Sequence, residues 1–273
     1  MKDIAIRAFS GLIYVLLLII SLYNKHALIL LFFLFGVICL AEFKKLIQLK
    51  GFLSYIIFAA IYFIFGYWQL VMQSNTGLNE ATQILQVISI FVLLLLIKDL
   101  FSEKTIPLFS SKRRLLTIFY ISSAFVFLVL IANYYPVYNP NILLGCFILV
   151  WVNDTFAYLV GSRFGKQKLF PSISPKKTVE GFLGGLFFAC ISSYFIAEYT
   201  STLTFTNWLI ISIIVSVFGT LGDLIESKFK RQAKVKDSGV IMPGHGGLLD
   251  RFDSIIFAAP FIYLFLRIIH YVS

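Results

Sequence analysis

The sequence predicts an all-α, polytopic integral membrane protein with about nine transmembrane helices, its N-terminus cytoplasmic and its C-terminus external. Composition is the first observation behind this. Of 273 residues, 59% are hydrophobic and 13% charged, with a mean hydropathy of +0.91, where a soluble domain is about 45–50% apolar and about 25% charged. The second is a series of apolar stretches close to the roughly 20 residues that cross about 30 Å of hydrocarbon. The third is the alternation of charge between successive loops. Together they exclude a soluble globular domain and a disordered chain.

The first apolar stretch, 9–24, follows Lys2 and Arg7. Leu22-Tyr23-Asn24-Lys25 comes next and offers no small-residue cleavage site, so the stretch reads as a retained signal anchor. Stretches at 26–41, 52–73, 82–98 and 115–133 follow. Their polar residues are scattered and their loops short, so residues 1–140 are expected to be an N-terminal transmembrane scaffold of about five helices. Stretches at 142–161, 179–198, 206–224 and 254–271 place about four helices in residues 141–273, the expected catalytic region, with two basic cytoplasmic loops. Cys39, Cys146 and Cys190 lie inside apolar runs without any CxxC spacing and read as small buried hydrophobes.

Charge orients these stretches. Of the 23 Lys and Arg residues, 21 fall before the first stretch or after the second, fourth, sixth and eighth; Lys25 and Arg267 are the exceptions. Beyond the short turn at Lys25, the opposite loops, QSNTGLNE, YYPVYNPN and YTSTLTFT, hold no Lys or Arg. Positive loops stay in the cytoplasm. The inner side also holds 11 of the 13 acids, so it carries the whole net charge of +10. Topology alone does not explain why the last two inner loops are the longest and mix acids with bases.

Chemistry concentrates from Asn153 onward. Asn153-Asp154 lies within a span, where an acid is costly and points to function. Ser174-Pro175 reads as an N-cap and first helical residue, which places Lys176 and Lys177 in a first turn, where free N–H groups and two ammonium groups would receive an anion. Gly181 and Gly185 then give a small-xxx-small face for close helix packing. The densest segment is GDLIESKFKRQAKVKDSGVIMPGHGGLLDRFD, residues 222–253. Asp223, Glu226 with Ser227, and Lys230 with Arg231 recur at three- and four-residue steps on one helix face. Lys236-Asp237 and a flexible Pro243-Gly244-His245-Gly246-Gly247 turn follow, before Asp250-Arg251-Phe252-Asp253 opens the last span. Carboxylates meeting bases at a membrane face form either an ion-pair network or a magnesium-polyphosphate site. Magnesium prefers one or two carboxylates plus phosphate oxygens, and basic side chains neutralise the remaining phosphate charge. A single histidine near the cluster and no nearby cysteine argue against zinc.

At these residues the sequence resembles the phosphatidate cytidylyltransferase (CDP-diacylglycerol synthase) family. Ser227, Lys230-Arg231, Lys236-Asp237, His245-Gly246-Gly247, Asp250-Arg251 and Asp253 stand at the family's signature spacing, and NDTFAYLVG and SPKKTVEG resemble further family motifs. Met242 stands where the family usually has Leu, Ile or Phe. The strong resemblance covers about residues 150–255. It implies condensation of CTP with phosphatidic acid to CDP-diacylglycerol and pyrophosphate for phospholipid biosynthesis, with a divalent metal. Mg2+ is expected on Asp223, Asp250 and Asp253 as the catalytic and metal-ligating residues, a second cation being left open. Asp154, Lys176, Lys177, Ser227, Lys230, Arg231, Lys236, His245, Gly246, Gly247 and Arg251 are the expected substrate-binding set, with His245 in a loop and phosphate-contact role. CTP, phosphatidic acid and the lipid bilayer are the expected partners, without nucleic acid; a homodimer is left open. The expected location is a bacterial plasma membrane, with the site on its cytoplasmic face.

Two other readings remain. A CTP-dependent polyprenol or phytol kinase would transfer the γ-phosphate, release CDP and form no nucleotide-lipid. A cation-coupled transporter would place its charged site near the midplane, often between repeated halves; here the acids gather at one membrane edge and the halves differ.

Overall fold

The computed structural model describes residues 2–68, 70, 78–102, 104–135, 138–244 and 246–272. Helices α1 (Lys2–Leu22), α2 (Lys25–Leu46), α3 (Leu53–Trp68), α4 (Leu78–Phe101) and α5 (Ser110–Ala132) come first. Then come α6 (Asn141–Phe164), a hairpin of β1 (Lys168–Phe170) and β2 (Ser174–Thr178), α7 (Val179–Thr200), α8 (Phe205–Gln232) and α9 (Leu249–Val272). Among the described residues seven helices are long and apolar enough to cross a membrane, namely α2 and α4–α9; α1 and α3 contribute the shorter apolar segments Phe9–Leu22 and Leu53–Trp68. The chain is thus an all-α, multi-pass membrane protein with one short hairpin. Leu12, Leu16, Phe91, Leu94 and Phe187 are exposed, as a lipid-facing surface requires.

The core is built around α5, in which every residue from Ser123 to Ala132 is buried. Its middle turns widen into a π-helix over Thr117–Ser122, where Ser122 Oγ donates to the Thr117 carbonyl at 2.6 Å. Phe252 of α9 sits beside this core among Phe32, Phe35, Phe125 and Phe147, with ring centroids 5.5–6.2 Å away. That anchor fixes the rotation of α9, and its neighbours Arg251 and Asp253 face the polar side.

Small residues bring the catalytic-half helices together. Side chains at Gly161 and Gly181 would collide across the α6–α7 contact: a Cβ at Gly181 would lie 2.7 Å from the Ala157 carbonyl. One at Gly185 would lie 2.6 Å from the Asn153 carbonyl, so the small-xxx-small face is a packing face. Gly222 does the same for α8 and α9, with Phe218 stacked on Phe261 at 3.7 Å nearby.

One expected element start is corrected. Ser174 and Pro175 do not open a helix; they lie in β2, which pairs antiparallel with β1. The N-cap of α7 is Thr178, whose hydroxyl accepts from Gly181 N at 3.1 Å. A two-stranded hairpin has free edges that tolerate proline, so Ser-Pro suits it equally well. Both lysines therefore reach their surroundings from a strand, two and three residues before the first residue of α7. Helices α8 and α9 also extend beyond the expected apolar limits, and Asp223–Arg231 and Asp250–Asp253 are all helical.

Candidate active site

A cavity of about 800 Å³ lies where α6, the hairpin, α7, α8 and α9 meet. Asn153 and Asp154 line it from α6, Lys168, Lys176 and Lys177 from the hairpin, Gly181 and Phe182 from α7. Thr220, Asp223 and Lys230 line it from α8, and Asp250, Arg251 and Asp253 from α9. Its rim is tied down by Glu180, whose carboxylate accepts from Lys166 N at 3.0 Å and Gln167 N at 3.1 Å.

Asp223, Asp250 and Asp253 of this cavity, with the buried Glu226 behind them, fall into two groups. Asp223, Glu226 and Asp253 each offer a carboxylate oxygen within 4.8 Å of the others. The residue responsible is Gly222, which lets α8 approach α9 where Asp223 and Asp253 project: a Cβ there would lie 2.6 Å from the Asp253 carbonyl. Asp223 accepts from Ser227 Oγ at 3.2 Å and pairs with Lys177, which clasps the hairpin to α8. Burial alone would lower the Lys177 pKa; the adjoining Asp223 carboxylate outweighs it, and the ammonium is held above the ordinary lysine value. Asp250 stands apart from this trio. It takes Lys230 Nζ at 2.6 Å, Gly247 N at 2.8 Å, Ser238 N at 2.9 Å and Ser238 Oγ at 3.0 Å. Lys230 also pairs with Glu226, so one ammonium joins the two groups.

The trio fits a hard divalent cation. Its donors are all carboxylate oxygens, the set that suits Mg2+, Ca2+ or Mn2+ rather than zinc. Glu226 is fully buried; the Lys230 ammonium pairs with its Oε2, and among the described residues its Oε1 meets no hydrogen-bond donor. Asp223 pairs with Lys177, and Glu226 and Asp250 share Lys230, so three of these carboxylates divide two ammonium groups between them.

Not every expected residue lines the cavity. Arg231 is exposed; its guanidinium donates to the Val235 carbonyl at 3.2 Å. Lys236 is exposed, whereas its neighbour Asp237 lines the cavity. Gly246 and Gly247 shape the loop before α9: Gly246, at φ 89°, exchanges backbone hydrogen bonds with Met242 at 2.9 and 3.1 Å. His245 lies outside the described residues. Asp154 accepts from Asn153 Nδ2 at 3.3 Å and opens onto the cavity. Glu226, one helical turn from Asp223, was visible in the periodicity; nothing local distinguished it as the third member of the trio.

Comparison with known proteins adds to this geometry. A family model described as "Cytidylyltransferase family" matches residues 4–269. A phosphatidate cytidylyltransferase of Bacillus subtilis (strain 168) is 34% identical over 277 residues, covering 98% of this chain and 99% of that protein. Phosphatidate cytidylyltransferases of Staphylococcus aureus (strain COL) and Staphylococcus saprophyticus are 49% and 52% identical over 126 residues, which is 45% of this chain and 48% of each of theirs.

Proposed function

The chain belongs to the cytidylyltransferase family, and on that premise we propose that it condenses CTP with phosphatidate to give CDP-diacylglycerol and pyrophosphate. The observation that carries the reading is the meeting of Asp223 and Asp253, backed by the buried Glu226, with Lys176, Lys177, Lys230 and Arg251 at one cavity of a multi-pass membrane protein. Such a cavity suits a polyphosphate and a lipid phosphate that must be held side by side.

The phosphate of phosphatidate is a monoester, with a second pKa near the ~6 of phosphoserine, so it is already an oxyanion near neutral pH. One of its oxygens attacks the α-phosphorus of CTP. The bond from that phosphorus to the oxygen bridging to the β-phosphate breaks, and pyrophosphate leaves. No general base is required. Lys177 and Lys230 are held in place by their carboxylate partners and offer fixed positive charge, with Lys176 and Arg251, to phosphates that would otherwise repel each other. The task of the chain is positioning and charge balance, as in other phosphoryl-type transfers. Asp223 and Asp253, with Glu226 beside them and Asp250 across Lys230, would hold a divalent cation, Mg2+ by expectation. When bound, the ion neutralises charge on the phosphates. We place the cavity at the cytoplasmic face, because the two segments that build it, 163–177 and 228–251, carry 11 of the 23 basic residues.

Purified protein given CTP, phosphatidate and Mg2+ should form CDP-diacylglycerol and release one pyrophosphate per lipid. Formation of CDP without a nucleotide-lipid would replace this reading with a lipid kinase.

A further inference from the structure

The loop between α8 and α9 is held by a carboxylate from the other half of the chain. Glu42, in α2, is 2% exposed. It accepts from Leu249 N at 2.8 Å, Leu248 N at 3.2 Å and Ser238 Oγ at 3.3 Å. Leu248 and Leu249 N–H groups belong to the first turn of α9 and its approach, where helical donors lack partners. Asp250 takes the complementary donors of the same loop, Gly247 N and Ser238 N, and shares the Ser238 hydroxyl. A hydroxyl has one proton to donate, so it couples the two carboxylates rather than satisfying both. The loop is shaped to admit Glu42: a Cβ at Gly239 would lie 2.7 Å from its Cδ, and one at Gly247 2.7 Å from Oε2. Ser10 of α1 adds a second tie, donating to the Pro243 carbonyl at 3.0 Å.

We propose that Glu42 is a positioning residue for the transfer reaction: it fixes the start of α9, and through Ser238 the Asp250 carboxylate, so that Asp250, Arg251 and Asp253 face the cavity in one arrangement. The role rests on the cytidylyl-transfer reading. A buried acid in a membrane helix is costly unless its oxygens find donors. Among the described residues the donors are Ser238 and Leu248 of the loop and Leu249 at the start of α9, so the acid and this segment order each other. The apolar half of the chain thereby takes part in the site it surrounds.

The test compares wild type, Glu42→Gln, Glu42→Asp, Ser238→Ala and the Glu42→Gln/Ser238→Ala double variant in detergent, by kcat, KM, melting temperature and trypsin cleavage after Lys234 and Lys236. Glutamine turns an amide N–H2 toward backbone donors, so Glu42→Gln should lower kcat about tenfold or more while KM for CTP moves less than about threefold, the signature of lost positioning. Cleavage in the loop should quicken at a melting temperature within a few degrees of wild type. Glu42→Asp should recover part of the rate, and the double variant should be little worse than Glu42→Gln alone, because the two act through one network. A Glu42→Gln kcat within about twofold of wild type would overturn the proposal, as would additive losses in the double variant. Should Glu42→Gln fail to fold, Ser238→Ala decides: a lower kcat with faster loop cleavage supports the role, and no change in either removes it. An inactive wild type would instead count against the transfer reading itself.

Discussion

Replacing Gly222 by alanine adds one methyl group at the closest point of α8 and α9. Its Cβ would lie 2.5 Å from Phe257 Cβ and 2.6 Å from the Asp253 carbonyl. Ordinary carbon contacts begin near 3.5 Å, so the helices must separate by about 1 Å. Neither obstacle is the end of a flexible side chain: one is a Cβ and the other is backbone. Overpacking of this kind costs about 1–3 kcal/mol of stability. The larger effect should fall on activity. Asp223 adjoins Gly222, Asp253 supplies the carbonyl that would be struck, and a 1 Å misplacement of reacting groups can cost about 10²-fold. Gly222→Ala should therefore fold, melt a few degrees lower and lose about 10²-fold in kcat, read as CDP-diacylglycerol formed from labelled CTP. Gly219→Ala is the matched control on the same helix, since its Cβ would meet Ser254 Cβ at 3.4 Å, a tight but tolerable contact. Equal, near-normal turnover in both variants would refute the claim that this glycine sets the geometry of the acid cluster.

Asp223→Asn and Asp253→Asn should each lower kcat about 10²-fold or more, about 2.7 kcal/mol; Asp99→Asn, which loses only a pair with Lys112 at 2.5 Å, should change turnover little. Near-normal turnover in either cavity variant would leave the trio as a structural ion-pair network. Lys177→Ala should raise KM for at least one substrate by a similar factor at pH 6, 7.5 and 9. Its raised pKa keeps the ammonium charged until pH passes the ordinary lysine value of about 10.4, so its contribution is lost only at still higher pH; a loss confined to one end of that range would contradict the assignment. Cysteines introduced at Lys234 and Tyr271, with Cys190 replaced by serine, should label from opposite membrane faces, and labelling from one face would remove the nine-span topology.

The elements that could be read from sequence are those whose signals are local. Apolar length and loop charge located the spanning helices, since burial in lipid demands both within a single segment. The Asp223-to-Lys230 face was legible because its residues lie one and two turns apart on one helix. Asp250 and Asp253 were legible as members of the first turns of the next. The partition among these acids was not, because it depends on how closely Gly222 lets two helices approach. Lys176 and Lys177 reach the cavity from a strand rather than from the expected helix start, since Ser-Pro fits a strand edge as well. Glu42 carried no local signal of its role: its partner Leu249 lies 207 positions away, and one acid at the end of an apolar helix resembles any interfacial charge.

The central claim is that the chain transfers a cytidylyl group onto a lipid phosphate, and the fate of each phosphorus of CTP tests it most directly. With CTP labelled at the α-phosphorus, wild-type protein should carry the label into the lipid product. With CTP labelled at the γ-phosphorus, the label should leave as pyrophosphate, and Asp253→Asn should slow both to the same extent. Label from the γ-phosphorus in the lipid, with none from the α-phosphorus, would contradict the account.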